Sequence, residues 1–245
     1  MNMTDEVNIA KYTDMASDLT DKFYITGNVD EAFSNTITRT TAWRNFAKSW
    51  FDLQQDGYMA DGGTYRSRRY AEFLVDPARQ IVEVQPQVPY RQSKALNYLN
   101  GDVDRHYLSI APETISNEAF CHILLECSRI LAVKHPETLW RARIFQNRIS
   151  AQRREPGSPT PEGIHRDGAD YVLTILSDRQ SVVGGESSMY SADGNTRLSS
   201  MLMRDPGDFI LLDDRQTMHG VTNIECEKQA DTGYRDVMVV MYTAE

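Results

Sequence analysis

GDFILLDDRQTMHGVTNI, residues 207–224, reads as a short apolar strand (208–214) running into a polar DDRQTM turn that delivers His219. The apolar run is too short for a helix, and Asp205-Pro206-Gly207 punctuates it in front. The same grammar recurs on both sides. ARIFQNRIS (142–150), YVLTIL (171–176), SSMLM (199–203) and YRDVMVVMYT (234–243) are β-type runs, separated by PGSPTPEG, DRQSVVGG, SADGN and RDPG. Strands at this density predict a mainly β fold with flanking helices, a sandwich or jelly-roll barrel.

Two helices are expected outside it. Between about Ala32 and Gln55, Phe33, Ile37, Trp43, Phe46, Trp50 and Leu53 recur at roughly helical spacing, and Asp56-Gly57 is a plausible stop. From about Ser116 to His135, Phe120, Ile123, Leu124, Cys127, Ile130 and Leu131 share a face, and Pro136 ends the run. Phe23–Thr26 predicts a short edge strand and Thr64–Val75 an extended segment, whereas the polar residues 1–20 predict a mobile or loosely packed arm. No linker or repeat divides the chain. The expectation is one domain over residues 1–245, with residues 1–56 as a lead-in and about 140–245 as the barrel core.

The chain has 245 residues and a net charge of -9, which lacks the basic footprint of a nucleic-acid binder. Local arginine clusters (Arg66, Arg68, Arg69; Arg141, Arg143, Arg148) leave room for a small anionic ligand. Three cysteines without a CxxC pair argue against a disulfide framework or a cysteine zinc site. The N-terminus has no apolar signal core, and no apolar run approaches a membrane span. A reducing, cytoplasmic setting with no membrane partner is expected; composition carries no signal for the oligomeric state.

His165-Arg166-Asp167 supplies the chemistry. Residues two apart on an extended segment point to one side, so an imidazole and a carboxylate can meet one metal. His219 can fold back as the third ligand. Two histidines and one carboxylate leave three positions open, the facial triad of non-haem Fe(II) oxygenases. Taken alone, an HxD pair also fits an ordinary loop with a buried histidine. A kinase catalytic loop is excluded, because Val172 stands where that loop needs Asn. Arg235 shares a strand face with Val237, Val239 and Met241, and an inward arginine on an apolar strand calls for an anion. A guanidinium can grip a carboxylate with two parallel hydrogen bonds, and the far carboxylate of 2-oxoglutarate suits it. A structural ion pair is the alternative.

These residues also carry a resemblance. EGIHRDGADYVLTIL, VVGGESSMY, GDFILLDDRQTMHGVTNI and GYRDVMVVMY, with YRSRRYAEFLVD, QSKALNYLNGDVDRHYLSI and IFQNR upstream, are similar in order and spacing to the small bacterial 2-oxoglutarate/Fe(II) dioxygenases typified by L-isoleucine 4-hydroxylase. The resemblance covers roughly residues 57–245. It implies a double-stranded β-helix, and Fe(II), 2-oxoglutarate and O2 as cofactor and co-substrates. It further implies hydroxylation of an sp3 C–H bond with release of succinate and CO2. It maps His165, Asp167 and His219 onto the metal positions and Arg235 onto the 2-oxoglutarate position. Gly184, Gly185 and Glu186 match the family turn, the glycines for backbone geometry. Many related oxygenases carry Ser or Thr two residues after the arginine. Val237 stands here instead, so the second hydrogen bond to the co-substrate has no assigned donor.

The implied substrate is a small molecule, a free L-amino acid. Alternatives are a peptide, a carrier-bound amino acid or another small acid, and a non-catalytic barrel that binds a small carboxylate. Arg66 and Arg68, with Tyr70 at the next same-face position, are expected over the barrel mouth, one arginine taking the substrate carboxylate. Gln146 and Arg148 form a weaker same-face pair, and His106 and Trp140 are minor pocket candidates.

Overall fold

The computed structural model describes residues 3–33, 36–97 and 101–245. Its strands are β1 (Tyr24–Asn28), β2 (Gln54–Gln55), β3 (Arg66–Asp76), β4 (Ile81–Val84), β5 (Trp140–Gln152), β6 (Tyr171–Gln180), β7 (Val182–Gly184), β8 (Ser187–Ser191), β9 (Arg197–Met201), β10 (Asp208–Asp213), β11 (Thr217–Val221), β12 (Ile224–Cys226) and β13 (Thr232–Ala244). An eight-stranded sheet runs β1-β10-β6-β13-β5-β3-β2, with β4 pairing β3. Opposite lie the smaller sheets β11-β8-β9 and β12-β7. The named strand pairs are antiparallel. This is the mainly β jelly-roll architecture expected from the strand density.

Both faces of the large sheet are covered, by different partners. Phe73, Ile144, Leu173, Ile175, Phe209, Leu211, Met238, Val240 and Tyr242 belong to a core shared with the helices. Phe145, Val172, Leu176, Ile210, Leu212, Val237 and Met241 point the other way, into the barrel, and pack with Met189 of β8. Successive side chains of a strand alternate between these two environments, which is why the central strands are apolar at nearly every position.

The helices are α1 (Met3–Lys22), α2 (Val29–Ala32), α3 (Thr41–Lys48), α4 (Pro112–Ile115) and α5 (Glu118–Lys134). Asn117 caps α5, its side-chain oxygen accepting from the backbone N–H of Ala119 at 2.9 Å and Phe120 at 3.2 Å. The arm expected over residues 1–20 is corrected for its described part: from Met3 it belongs to the helix α1. Tyr12, Ala16 and Leu19 of α1 are buried against the core, and the Tyr12 hydroxyl donates to Glu126 of α5. Three buried positions, one of them the amphipathic Tyr12, leave a narrow stripe on a polar helix and a weak periodic signal. The single helix expected over about 32–55 is also corrected. It divides into α2, a 3-10 turn, α3 and a second 3-10 turn, because Thr40 restarts the chain as an N-cap, accepting from Trp43 N–H at 3.0 Å. Among the described residues no helix is long and apolar enough to cross a membrane.

Candidate metal and co-substrate site

His165 lies in the segment before β6, and His219 on β11. The two exchange both backbone hydrogen bonds, each N–H···O at 2.9 Å, as an isolated antiparallel bridge. This pairing sets the imidazoles side by side, ring centroids 4.5 Å apart. Asp167 completes the group: its carboxylate oxygens lie 3.8 Å from His165 Nε2 and 3.6 Å from His219 Nε2. One ligand atom from each of the three residues falls within 4.8 Å of the others.

The shell behind these side chains suits a metal. His165 Nδ1 is 3.0 Å from the Gly163 carbonyl, to which its N–H donates, so Nε2 keeps its lone pair facing Asp167. Burial, reinforced by the proximity of His165, pushes His219 down to about 3, so its imidazole is neutral and able to ligate. Burial also raises the Asp167 carboxyl, with the charge of Glu162 adding to it and that of His165 opposing. A cation between the three groups would relieve that penalty. The Asp167 loop is fixed by Asp214, a buried carboxylate at the end of β10. It accepts from the backbone N–H of Asp167 at 3.1 Å, Gly168 at 2.7 Å and Ala169 at 3.0 Å. Gly168 takes φ +82, where a side chain would strain the turn. Two imidazoles and one carboxylate, with further positions open to the cavity, fit Fe(II).

Arg235, on β13, lines the same cavity. Its side chain is almost wholly buried, and Nε and Nη2 have no hydrogen-bond partner. Burial, with Arg179 nearby, pushes its guanidinium down to about 10 against the pull of Asp236. A buried guanidinium with two unsatisfied donors is a receptor for an anion. Gly185 makes room for it: a Cβ there would stand 3.2 Å from Arg235 Cδ, and its φ is +76. Glu186 of the same turn accepts from Ser200 Oγ at 3.0 Å. Four hydroxyl-bearing residues, Thr174, Ser187, Thr160 and Tyr90, line the cavity as well.

The opposite wall comes from β3 and β5. Arg66 and Arg68 are buried in the cavity lining, around Asp56. Arg66 Nε donates to Asp56 at 2.8 Å, while Arg68 Nε lies 3.1 Å from the same oxygen without hydrogen-bond geometry. Burial alone would raise Asp56, but Arg68 and Arg66 outweigh it and hold the carboxyl below its ordinary range. The Arg68 guanidinium packs against two rings, 4.8 Å from the Phe145 centroid and 5.4 Å from that of Tyr107.

Not every expected residue arrives here. Tyr70 shares the inward face but sits deeper, its ring 4.7 Å from Phe145 and its hydroxyl donating to Glu72. Gln146 and Arg148 face away from the cavity. Gln146 Nε2 donates to Ser49 Oγ at 2.6 Å, and Arg148 forks onto Asp236 at 2.7 and 2.6 Å. The phase of β5 is the reason: Phe145, Asn147 and Ile149 point inward, so 146 and 148 point out. His106 is exposed, and Trp140 packs in the helix-side core. Residues absent from the sequence expectation are Asn147, Glu162, Gln92, Asn97 and Arg105, which line the cavity, and Asp214 behind it.

The chain matches the model of the 2OG-Fe dioxygenase family over residues 47–241 and belongs to that family, whose members use Fe(II), 2-oxoglutarate and O2. Among known proteins it is similar to the 3(1)-hydroxy-L-isoleucine 4-dioxygenase of Pantoea ananatis (strain AJ13355), 25% identical over 160 residues, 63% of each chain. The match thus spans less than two thirds of that relative. A bsmA homologue from Methylobium petroleophilum PM1 superposes with a TM-score of 0.83 at 26% identity, covering 95% of this chain and 92% of the other. IDO from Bacillus thuringiensis shares the fold, with a TM-score of 0.79 at 15% identity and coverage of 96% and 99%.

Proposed function

We propose that this dioxygenase hydroxylates an sp3 C–H bond of a free L-amino acid, releasing succinate and CO2. Iron is held by His165, Asp167 and His219. Arg235 grips the far carboxylate of 2-oxoglutarate, and Thr174 or Ser187 supplies the hydroxyl that Val237 lacks. Bound iron with 2-oxoglutarate and O2 furnishes the oxidising power; the chain's own task is placement and exclusion of water. Arg68 takes the substrate carboxylate. Both arginines pair with Asp56, but Arg66 Nε is spent in a hydrogen bond there, whereas Arg68 Nε makes none and its guanidinium packs against Phe145 and Tyr107.

The observation that carries this reading is a single cavity with two separate anion receptors around one triad, Arg235 on β13 and the Arg66/Arg68 pair on β3. The amino acid dioxygenase relative points to the same substrate class. The test is a screen of free amino acids with anaerobically reconstituted Fe(II) enzyme, exposed to O2 and read by succinate and a product 16 mass units heavier. Amino-acid-dependent succinate formation is expected. Turnover only with peptides or carrier-bound substrates would replace the free amino acid by one of those classes, and 2-oxoglutarate binding without any turnover would make the barrel a sensor.

A further inference from the structure

The proposed function leaves the substrate's α-amino group without a partner, and Glu162 is placed to be one. Glu162 stands three residues before His165, half-buried in the cavity lining. Among the described residues it forms no ion pair, and it accepts a hydrogen bond from Asn97 Nδ2 at 3.3 Å. It lines the same cavity as Arg66 of the substrate wall and as Asp167 and His219 of the triad, and its charge acts on all three.

The carboxylate is tied to the metal loop. Asn97 Nδ2 also reaches Gln92 Oε1 at 3.2 Å; that oxygen accepts from Arg105 Nη2 at 3.0 Å, and Gln92 Nε2 donates to the Asp167 carbonyl at 3.0 Å. A second carboxylate lining the same cavity as Asp167 adds negative charge that a cationic group of the ligand would offset. Arg66 cannot serve, since Asp56 already holds it. Arg105 lies 4.7 Å over the Tyr90 ring and donates to Gln92, so it too is engaged elsewhere.

We propose that Glu162 binds the α-ammonium of the substrate while Arg68 binds its α-carboxylate, making the cavity a reader of zwitterions. This rests on the free amino acid reading above and sharpens it. The site takes primary α-amino acids and rejects deaminated acids, N-acylated amino acids and internal residues of peptides. With both polar groups of one α-carbon held, only one enantiomer can also turn its side chain towards the triad, which is the third point that selects chirality.

Binding without turnover tests this. Enzyme loaded with Ni(II) and 2-oxoglutarate is titrated calorimetrically with the twenty proteinogenic L-amino acids and 3(1)-hydroxy-L-isoleucine. The tightest binder is then compared with its deaminated and N-acetylated analogues. Wild type should lose at least about tenfold in affinity for either analogue, about 1.4 kcal/mol. Glu162→Gln should weaken the amino acid by a similar factor yet bind the deaminated analogue as wild type does, and Glu162→Asp should recover part of the loss. An unchanged Kd for 2-oxoglutarate shows that each variant is folded. Equal weakening of amino acid and analogue in Glu162→Gln would overturn the assignment, as would a wild type indifferent to deamination even if the variant fails to fold. If wild type binds no free amino acid at all, the substrate reading itself falls, a separate outcome.

Discussion

Arg235→Met should move stability and co-substrate binding in opposite directions. Without an anion, the buried guanidinium is a charge held in a poor environment: burial pushes its pKa down to about 10. At about 1.4 kcal/mol per tenfold, that corresponds to about 3 kcal/mol of strain on the charged form at neutral pH, where it is charged in both folded and unfolded chains. Methionine keeps much of the length and removes the charge. The apoprotein should therefore gain about 1–3 kcal/mol, raising Tm by about 2–4 °C per kcal/mol. On the proposed role of Arg235, the same change would delete two charge-assisted hydrogen bonds to the far carboxylate of 2-oxoglutarate. At about 1.5 kcal/mol or more each, their loss weakens binding about 100-fold or more. Thermal unfolding of the metal-free protein, followed by calorimetric titration of 2-oxoglutarate into the Ni(II) form, reads both quantities. A variant that is destabilised while still binding 2-oxoglutarate normally would show that Arg235 is a structural ion pair and that the anchor lies elsewhere.

Four further outcomes are expected. His165→Ala, Asp167→Ala and His219→Ala should each abolish turnover with the fold retained by circular dichroism; normal activity in any one would dismantle the triad. Asp214→Asn turns one arm of the acceptor for three backbone N–H groups into a donor, so Fe(II) affinity should fall about 10–100-fold while Tm changes less than on losing a core residue; an unchanged metal titration would refute this. Asp167 fills the position a halide would need, so mass spectrometry should find hydroxylated and no chlorinated or brominated product even at high halide concentration. Burial raises Asp236 to about 6 despite its fork with Arg148. A raised carboxyl binds its proton more tightly when folded, so wild type should lose about 2–3 kcal/mol relative to Asp236→Asn as pH rises from about 4 to 7, with no further change above; parallel stability curves for the two proteins would count against it.

The large sheet was legible where its strands are long and apolar, and illegible where a face has no periodic signature. β6, β10 and β13 announce themselves because residues such as Val172, Leu173, Ile210, Leu211, Val237 and Met238 are buried on both faces. That same double burial hid the phase of β5. Ala142 and Ile144 enter the helix-side core while Phe145 and Ile149 face inward, so no alternation distinguishes Gln146 and Arg148 from Asn147. A one-residue error in phase moves every side chain to the other face. The short strands β7, β11 and β12 are ordered mainly by pairing with distant segments, such as β12 with β7 and β11 with β8, which no local pattern records.

The site shows the same division at the level of single residues. His165, Asp167, His219 and Arg235 were readable because each makes a chemical demand that a strand does not usually meet: ligands at a spacing of two, and a guanidinium on an apolar face. Glu162, Gln92, Asn97 and Arg105 make no such demand. Each is an ordinary polar residue in a turn-rich stretch, and Gln92, Asn97 and Arg105 become cavity residues only when residues 90–97 and 101–105 fold against the Asp167 loop through the Gln92 amide. Asp214 lies between these extremes. An acid following the apolar run of β10 is a visible oddity, and its buried environment needs several donors to tolerate it. The three N–H groups of residues 167–169 are those donors, so the carboxylate that ends one strand also shapes the loop that presents the metal's own carboxylate.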